Sequence, residues 1–246
     1  MREPSALHFS RNHAVSAVDI VTPDELPAAL RVLGLSPPQP VLVLVGGADG
    51  LGPERAQRLR SLFRDVIAPL LDRLGAAVID GGTDSGVMAL MGQARTEVGA
   101  GFPLIGVAAR GTVKLPADPP EPDQQRTALE PNHTHFLLVP GDRWGDESPW
   151  ISDTASALGD RAAAASLVAG GGKVTLLDVE HSLSAGRRTL LLVGSGRTAD
   201  RLADALRLGK LPALGILEER AELLQPIVLA EAERALPALL QSLYFG

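Results

Sequence analysis

Hydrophobic positions along the chain follow two alternating patterns. Short, nearly unbroken apolar runs at residues 41–45, 76–79, 104–108, 135–139 and 189–193 read as parallel strands buried on both faces. Between them, apolar residues recur at helical spacing: Leu59, Leu62, Phe63, Val66, Ile67, Leu70 and Leu71, then Val87, Leu90, Met91 and Ala94, then Leu202, Ala205, Leu206 and Leu208. Before the first run lie a poorly ordered start (1–14), an edge strand (14–21), a short helix (23–33) and a turn-rich connector (34–40). Further helices are predicted at 149–158, 178–185 and 231–243, and a short strand at 227–229. Residues 163–169 fit a strand or a helix end, and the glycines that follow favour a strand. Strands alternating with helices specify a doubly wound, Rossmann-like α/β sheet with helices on both faces. The predicted organisation is one such domain over 41–246, preceded by an extension over 1–40.

Residues 76–94, A-A-V-I-D-G-G-T-D-S-G-V-M-A-L-M-G-Q-A, pass from strand through a tight loop into a helix capped by Thr83 or Asp84. Gly81 and Gly82 let a ligand approach the backbone, and the helix start favours an anion such as phosphate. A plain turn needs the same glycines. The pattern repeats: strand ends carry Gly46-Gly47, Gly81-Gly82-Thr83, Pro140-Gly141, Gly170-Gly171-Gly172 and Gly194-Ser195-Gly196. In doubly wound sheets those ends line the ligand crevice, so the repetition points to a backbone-lined phosphate pocket. Neither G-x-G-x-x-G in the dehydrogenase arrangement nor G-x-x-x-x-G-K-[ST] occurs, which argues against an ordinary NAD dehydrogenase or P-loop NTPase.

Four side chains carry candidate chemistry. Arg197 opens a helix, where a cation is unfavourable unless an anion binds beside it; pairing with Asp200 or Asp204 is the alternative. His133 and His135 alternate on one face, but no third ligand stands at metal spacing, leaving contact with a ribose or phosphate, or packing. Glu147 follows a strand, where it fits either activation of water at a glycosidic carbon or capping of the next helix.

Composition narrows the classes. A net charge of −6 argues against a broad nucleic-acid footprint, and the absence of cysteine fits a reducing compartment. Aromatics make up 3% of residues, so the core must be built from Ala, Val and Leu. No signal-peptide core or membrane-length apolar run is present, so the expected location is the cytoplasm, with no membrane partner. The Pro-rich acidic loop at 116–126 is a candidate lid, and Leu236, Leu239, Leu240 and Leu243 fit either a dimer interface or packing on the chain's own sheet.

The ordered set V-L-V-L-V-G-G-A, G-G-T-D-S-G-V-M, P-L-I-G-V-A, L-E-P-N-H-T-H-F-L-L-V and G-S-G-R-T-A-D resembles the SLOG superfamily, most closely its prokaryotic LSDAT branch. That branch is similar to the cytosolic N-terminal region of TRPM cation channels. W-G-D-E-S-P-W at 144–150 is a further element of the branch. The resemblance implies a Rossmann-like sensor of nucleotide-derived ligands, of the ADP-ribose or cyclic-nucleotide type, coupled to an effector. The contacts it implies are Gly46, Gly47, Gly82, Thr83, Ser85, Gly86, His133, Gly194, Ser195 and Arg197. The rim glycines Gly81, Gly141, Gly171 and Gly196 complete the candidate set. No effector domain is evident, so output is expected through a separate protein or a homo-oligomer.

Phosphoribohydrolase relatives carry P-G-G-x-G-T-x-x-E, where this chain has P-G-D-R-W-G-D-E. The leading expectation is therefore a ligand-binding domain that requires no cofactor or metal. A nucleotide N-glycosidase using Glu147 is the alternative, and an oligomeric scaffold the third reading.

Overall fold

The structure, a computed structural model, describes residues 4–47, 53–119, 126–159, 164–211 and 215–246. Strands β1 (Ser5–Ser10), β2 (His13–Asp19), β3 (Val41–Gly47), β4 (Ala77–Asp80), β5 (Leu104–Ala109), β8 (His135–Val139), β9 (Ala164–Gly170), β10 (Arg188–Val193) and β11 (Leu224–Val228) form one sheet. Its order is β1-β2-β8-β5-β4-β3-β9-β10-β11. Every neighbouring pair is parallel except the β1–β2 hairpin. The short strands β6 (Val113–Lys114) and β7 (Thr127–Ala128) pair separately.

Strand alternation divides the core. Val41, Val43 and Val45 of β3 face one layer, while Leu42 and Leu44 face the other. The first layer holds helices α1 (Leu26–Val32), α5 (Ser148–Leu158), α6 (Lys173–Ser184), α7 (Arg197–Arg207) and α8 (Gly215–Glu219). The second holds α2 (Pro53–Leu62), α3 (Ala68–Leu74), α4 (Gly86–Glu97) and α9 (Ala232–Phe245). A π turn at Phe63–Ile67 joins α2 to α3 and buries both Phe63 and Ile67.

The doubly wound α/β sheet is the predicted architecture. Several local expectations are corrected. The start forms β1, and β2 is an interior strand between β1 and β8 rather than an edge. Leu26, Ala29 and Leu30 of the extension enter the same core as β3. Helix α6 begins five residues before its predicted start, directly after the glycines (173 against 178). Ser85, not Thr83 or Asp84, occupies the N-cap position of α4, and its side chain makes no capping bond. Helix α9 buries Leu236 and Leu240 against its own sheet and packs Leu239 and Leu243 beside them. Part of the predicted lid, residues 120–125, lies outside the described residues. Among the described residues no helix is long and apolar enough to cross a membrane.

The winding reverses between β3 and β9. From β3 the chain proceeds through β4, β5 and β8 on one side and through β9, β10 and β11 on the other. Connections leave this point in opposite directions and open a crevice above the strand ends. The two central strands approach closely there, with Gly46 opposite Ala169 and Gly47 opposite Gly170. Gly46 has φ +137°, and a Cβ on it would overlap the Ala169 carbonyl oxygen.

Candidate functional site

A cavity of about 340 Å³ fills the crevice. Its floor is the end of β3, from Leu44 to Gly47. Gly81, Thr83, Ser85, Gly86 and Met88 wall one side. Trp144, Glu147 and Ile151 come from the β8–α5 connection, and Gly172, Lys173, Val174, Thr175 and Asp178 from the start of α6. Arg197, the first residue of α7, and Thr127 complete it.

Of the candidate residues, Gly46, Gly47, Gly81, Thr83, Ser85, Gly86, Glu147 and Arg197 meet at this cavity. Gly81 leaves open space: a Cβ there would have no atom within 4 Å. Thr83 Oγ1 and Ser85 Oγ share a hydrogen bond of 3.2 Å at the wall. Arg197 holds φ +52°, a conformation that a side-chain-bearing residue adopts only under strain. Its predicted acidic neighbours are otherwise engaged: Asp200 accepts the Gly194 amide at 2.6 Å, and Asp204 pairs with Arg207 at 3.4 Å.

The remaining candidates stand behind the cavity wall. His133 is fully buried between two acids, its Nε2 2.9 Å from Asp80 Oδ1 and its Nδ1 2.9 Å from Glu130 Oε2. Burial alone would drive off its proton, but the Asp80 carboxylate, supported by Glu130, lifts the ring to about 9. His135, bonded instead to Thr134 Oγ1 at 2.8 Å, does not join it. Asp80 Oδ1 also accepts the Gly82 amide at 2.7 Å, so this acid–histidine–acid group sets the loop that carries Gly81 and Thr83. Gly82 sits against the Gly106 backbone at φ +68°.

Gly141 turns the chain beside Asp146, whose Oδ2 accepts the Asp142 and Arg143 amides at 3.0 and 3.1 Å. Gly171 lies against Thr175, and Gly194 and Gly196 hold φ values of +94° and +92°. Ser195 is buried, its hydroxyl accepting the Gly170 amide at 2.8 Å and donating to the Leu192 carbonyl. These residues shape the rim from behind.

Glu147 occupies the N-cap position of α5, yet its side chain makes no capping bond. Its Oε2 instead accepts the Gly145 amide at 3.0 Å, and burial pushes its carboxyl above the usual carboxylate range. Across the cavity wall stands Asp178, which sequence reading passed over. Burial raises its carboxyl to about 7; the nearby Ser148 hydroxyl opposes the shift and the Glu147 charge adds to it. Asp178 Oδ1 is buried without a hydrogen-bond partner.

Lys173, also passed over, is the first residue of α6 and lines the cavity beside Gly172. Its signal was present as a lysine directly after three glycines at a strand end. Neither Lys173 nor Arg197 has an ion pair or hydrogen bond from its side chain among the described residues. The two lone cations therefore stand at adjoining helix starts, facing one cavity.

This sheet order, with a cavity above its switch point, defines a Rossmann-like α/β architecture. The chain belongs to the family described as SLOG in TRPM, prokaryote, whose model matches residues 39–236. It is 28% identical over 209 residues to transient receptor potential cation channel subfamily M member 2 of Mus musculus, covering 71% of this chain and 14% of the channel. It is 33% identical over 133 residues to the subfamily M member-like 2 channel of Nematostella vectensis, covering 45% of this chain and 8% of that protein. The chain thus spans only a small part of the length of these channels. Among solved structures it is similar to TM1055, a structural genomics target, with a TM-score of 0.50 and 21% identity over 81% of this chain and 99% of that one. That likeness concerns the fold alone.

Proposed function

We propose that the chain is a binding domain for a phosphate-bearing, nucleotide-derived ligand of the ADP-ribose class. The observation that carries the reading is the placement of Lys173 and Arg197, each opening a helix, each lining the switch-point cavity and neither paired with an acid among the described residues. A cation at a helix start opposes the helix dipole, and a bound phosphate satisfies the cation and the start together. Gly81 and Gly47 keep side-chain bulk off the path of the ligand. Similarity to part of TRPM channels supports a sensing role. In this reading the domain works in the cytoplasm and signals through a separate protein or self-association.

The test is a thermal-shift titration with ADP-ribose, NAD, cyclic ADP-ribose isomers and AMP. A ligand at a hundred times its dissociation constant adds about 2.7 kcal/mol of stability, a shift of several degrees. A dose-dependent rise with one compound supports the reading, and a flat panel overturns it.

A second reading, N-glycosidase action on a nucleoside monophosphate, draws on Glu147, which faces the cavity instead of capping α5. Water would attack the anomeric carbon and the C–N bond would break, with Glu147 taking the water's proton and passing it to the departing base. Products would be free base and ribose 5-phosphate. Base release abolished in Glu147→Gln supports this reading; no release from wild type removes it.

A further inference from the structure

A second cavity, of about 280 Å³, adjoins the first at Gly172 and Lys173, which line both. Its other walls are Leu176 of α6 and Thr198, Arg201 and Leu202 of α7. The two cavities are therefore neighbours across one short ridge. Thr198 fixes that ridge: its hydroxyl lies 3.1 Å from the Gly171 carbonyl oxygen and 2.9 Å from that of Gly172. Gly172 has φ −112°, outside the left-handed region, and a Cβ there would meet no atom within 4 Å. Neither the turn nor close packing requires a glycine at 172, and the ridge stays open for a ligand to lie across it.

Arg201 stands one turn beyond Arg197 on α7. Its side chain donates to the Thr198 hydroxyl at 3.1 Å and has no acid partner among the described residues. Arg197 lines the first cavity, Arg201 the second and Lys173 both, so three cations without acids follow the path between them. Leu176 and Leu202 give the second cavity an apolar wall that the first lacks on this side.

We propose that the second cavity is a half-site for the base of a two-sided ligand, a nucleoside joined through a diphosphate to a second sugar, with the diphosphate crossing Gly172. The inference deepens the phosphate-ligand reading and rests on it, because it places the diphosphate at Lys173, between Arg197 and Arg201. A flat heteroaromatic base meets the remaining chemistry: it buries apolar surface against Leu176 and Leu202, and the Arg201 guanidinium stacks on its face. At about 280 Å³ the cavity suits one part of such a ligand rather than the whole. A sugar phosphate without a base leaves it empty.

The experiment is calorimetric titration of wild type and Arg201→Ala with ADP-ribose and NAD as two-sided probes and ribose 5-phosphate as the one-sided probe. Arg201 is exposed, so the variant should keep the fold, which thermal unfolding verifies. Wild type should bind a two-sided probe at least about tenfold more tightly than ribose 5-phosphate, since the linked second contact is intramolecular. Arg201→Ala should cut that preference about fivefold while leaving ribose 5-phosphate affinity within about twofold. Equal binding of both kinds of probe by wild type overturns the half-site and leaves the phosphate reading standing. A preference unchanged in Arg201→Ala, including by equal loss for both kinds, does the same. Binding of no probe by wild type overturns both.

Discussion

The ring of His133 lies 2.9 Å from Asp80, and the same Asp80 oxygen holds the Gly82 amide at 2.7 Å. A residue at the entrance to β8 thereby fixes the loop at the exit of β4. Removing the ring leaves Asp80 and Glu130 as buried charges facing each other without their cation. His133→Ala should therefore lose about 3 kcal/mol in urea unfolding, as expected when one partner of a buried ion pair is deleted. A loss below about 1 kcal/mol would mean that the group is not an ion pair.

The same group sets a pH dependence. The folded-state value of His133, about 9, lies above the ordinary 6.5. Its stabilising contribution is thus complete below pH 6.5 and disappears as pH rises through 9. Wild type should lose on the order of 2 kcal/mol across that window, and His133→Gln should show a flatter profile. Denaturation midpoints measured from pH 6 to 9.5 check this.

Asp178 works in the opposite sense. Its carboxyl is raised from 3.8 to about 7, so the folded chain holds a proton that the unfolded chain has released. Stability contributed by that proton is present at low pH and declines as pH rises from about 4 to 7. Asp178→Asn should match wild type near pH 4 and exceed it by roughly 1 kcal/mol at pH 8, a figure discounted for solvent screening. Equal stability at pH 8 would show that the acid is not penalised by burial.

The rim glycines separate into structural and open positions. Gly46→Ala places a Cβ on the Ala169 carbonyl at φ +137° and should destabilise by about 3 kcal/mol or more. Gly81→Ala meets nothing within 4 Å and should stay within about 1 kcal/mol of wild type while narrowing the cavity. Thermal unfolding of the two variants, with ligand titration of Gly81→Ala, distinguishes these roles.

The layer architecture was legible because β3, β4, β5, β8 and β10 are apolar on both faces and therefore read as interior parallel strands. The β1–β2 hairpin was not, since β1 alternates exposed and buried positions in a polar N-terminal stretch. Half of the site was legible as glycine-ended strands. The other candidates failed to reach the cavity for a reason that local sequence does not carry: a glycine serving strand approach and one serving a ligand look the same. His133 read as a contact because its two acid partners lie three and 53 residues away, and only the fold joins them. Lys173 and Asp178 went unread because α6 was expected to start after Lys173, at Asp178 itself, which hid the face they share.

Arg197 and Lys173 carry the central claim, and calorimetry on Lys173→Ala, Arg197→Gly and their combination tests it most directly. Glycine at 197 adopts the φ of +52° without strain, so that variant should fold with stability within about 1 kcal/mol of wild type. The account predicts that each single change weakens ADP-ribose or AMP binding about tenfold, and the double change a hundredfold, on an unchanged fold. Wild-type affinity in the folded double variant would contradict it.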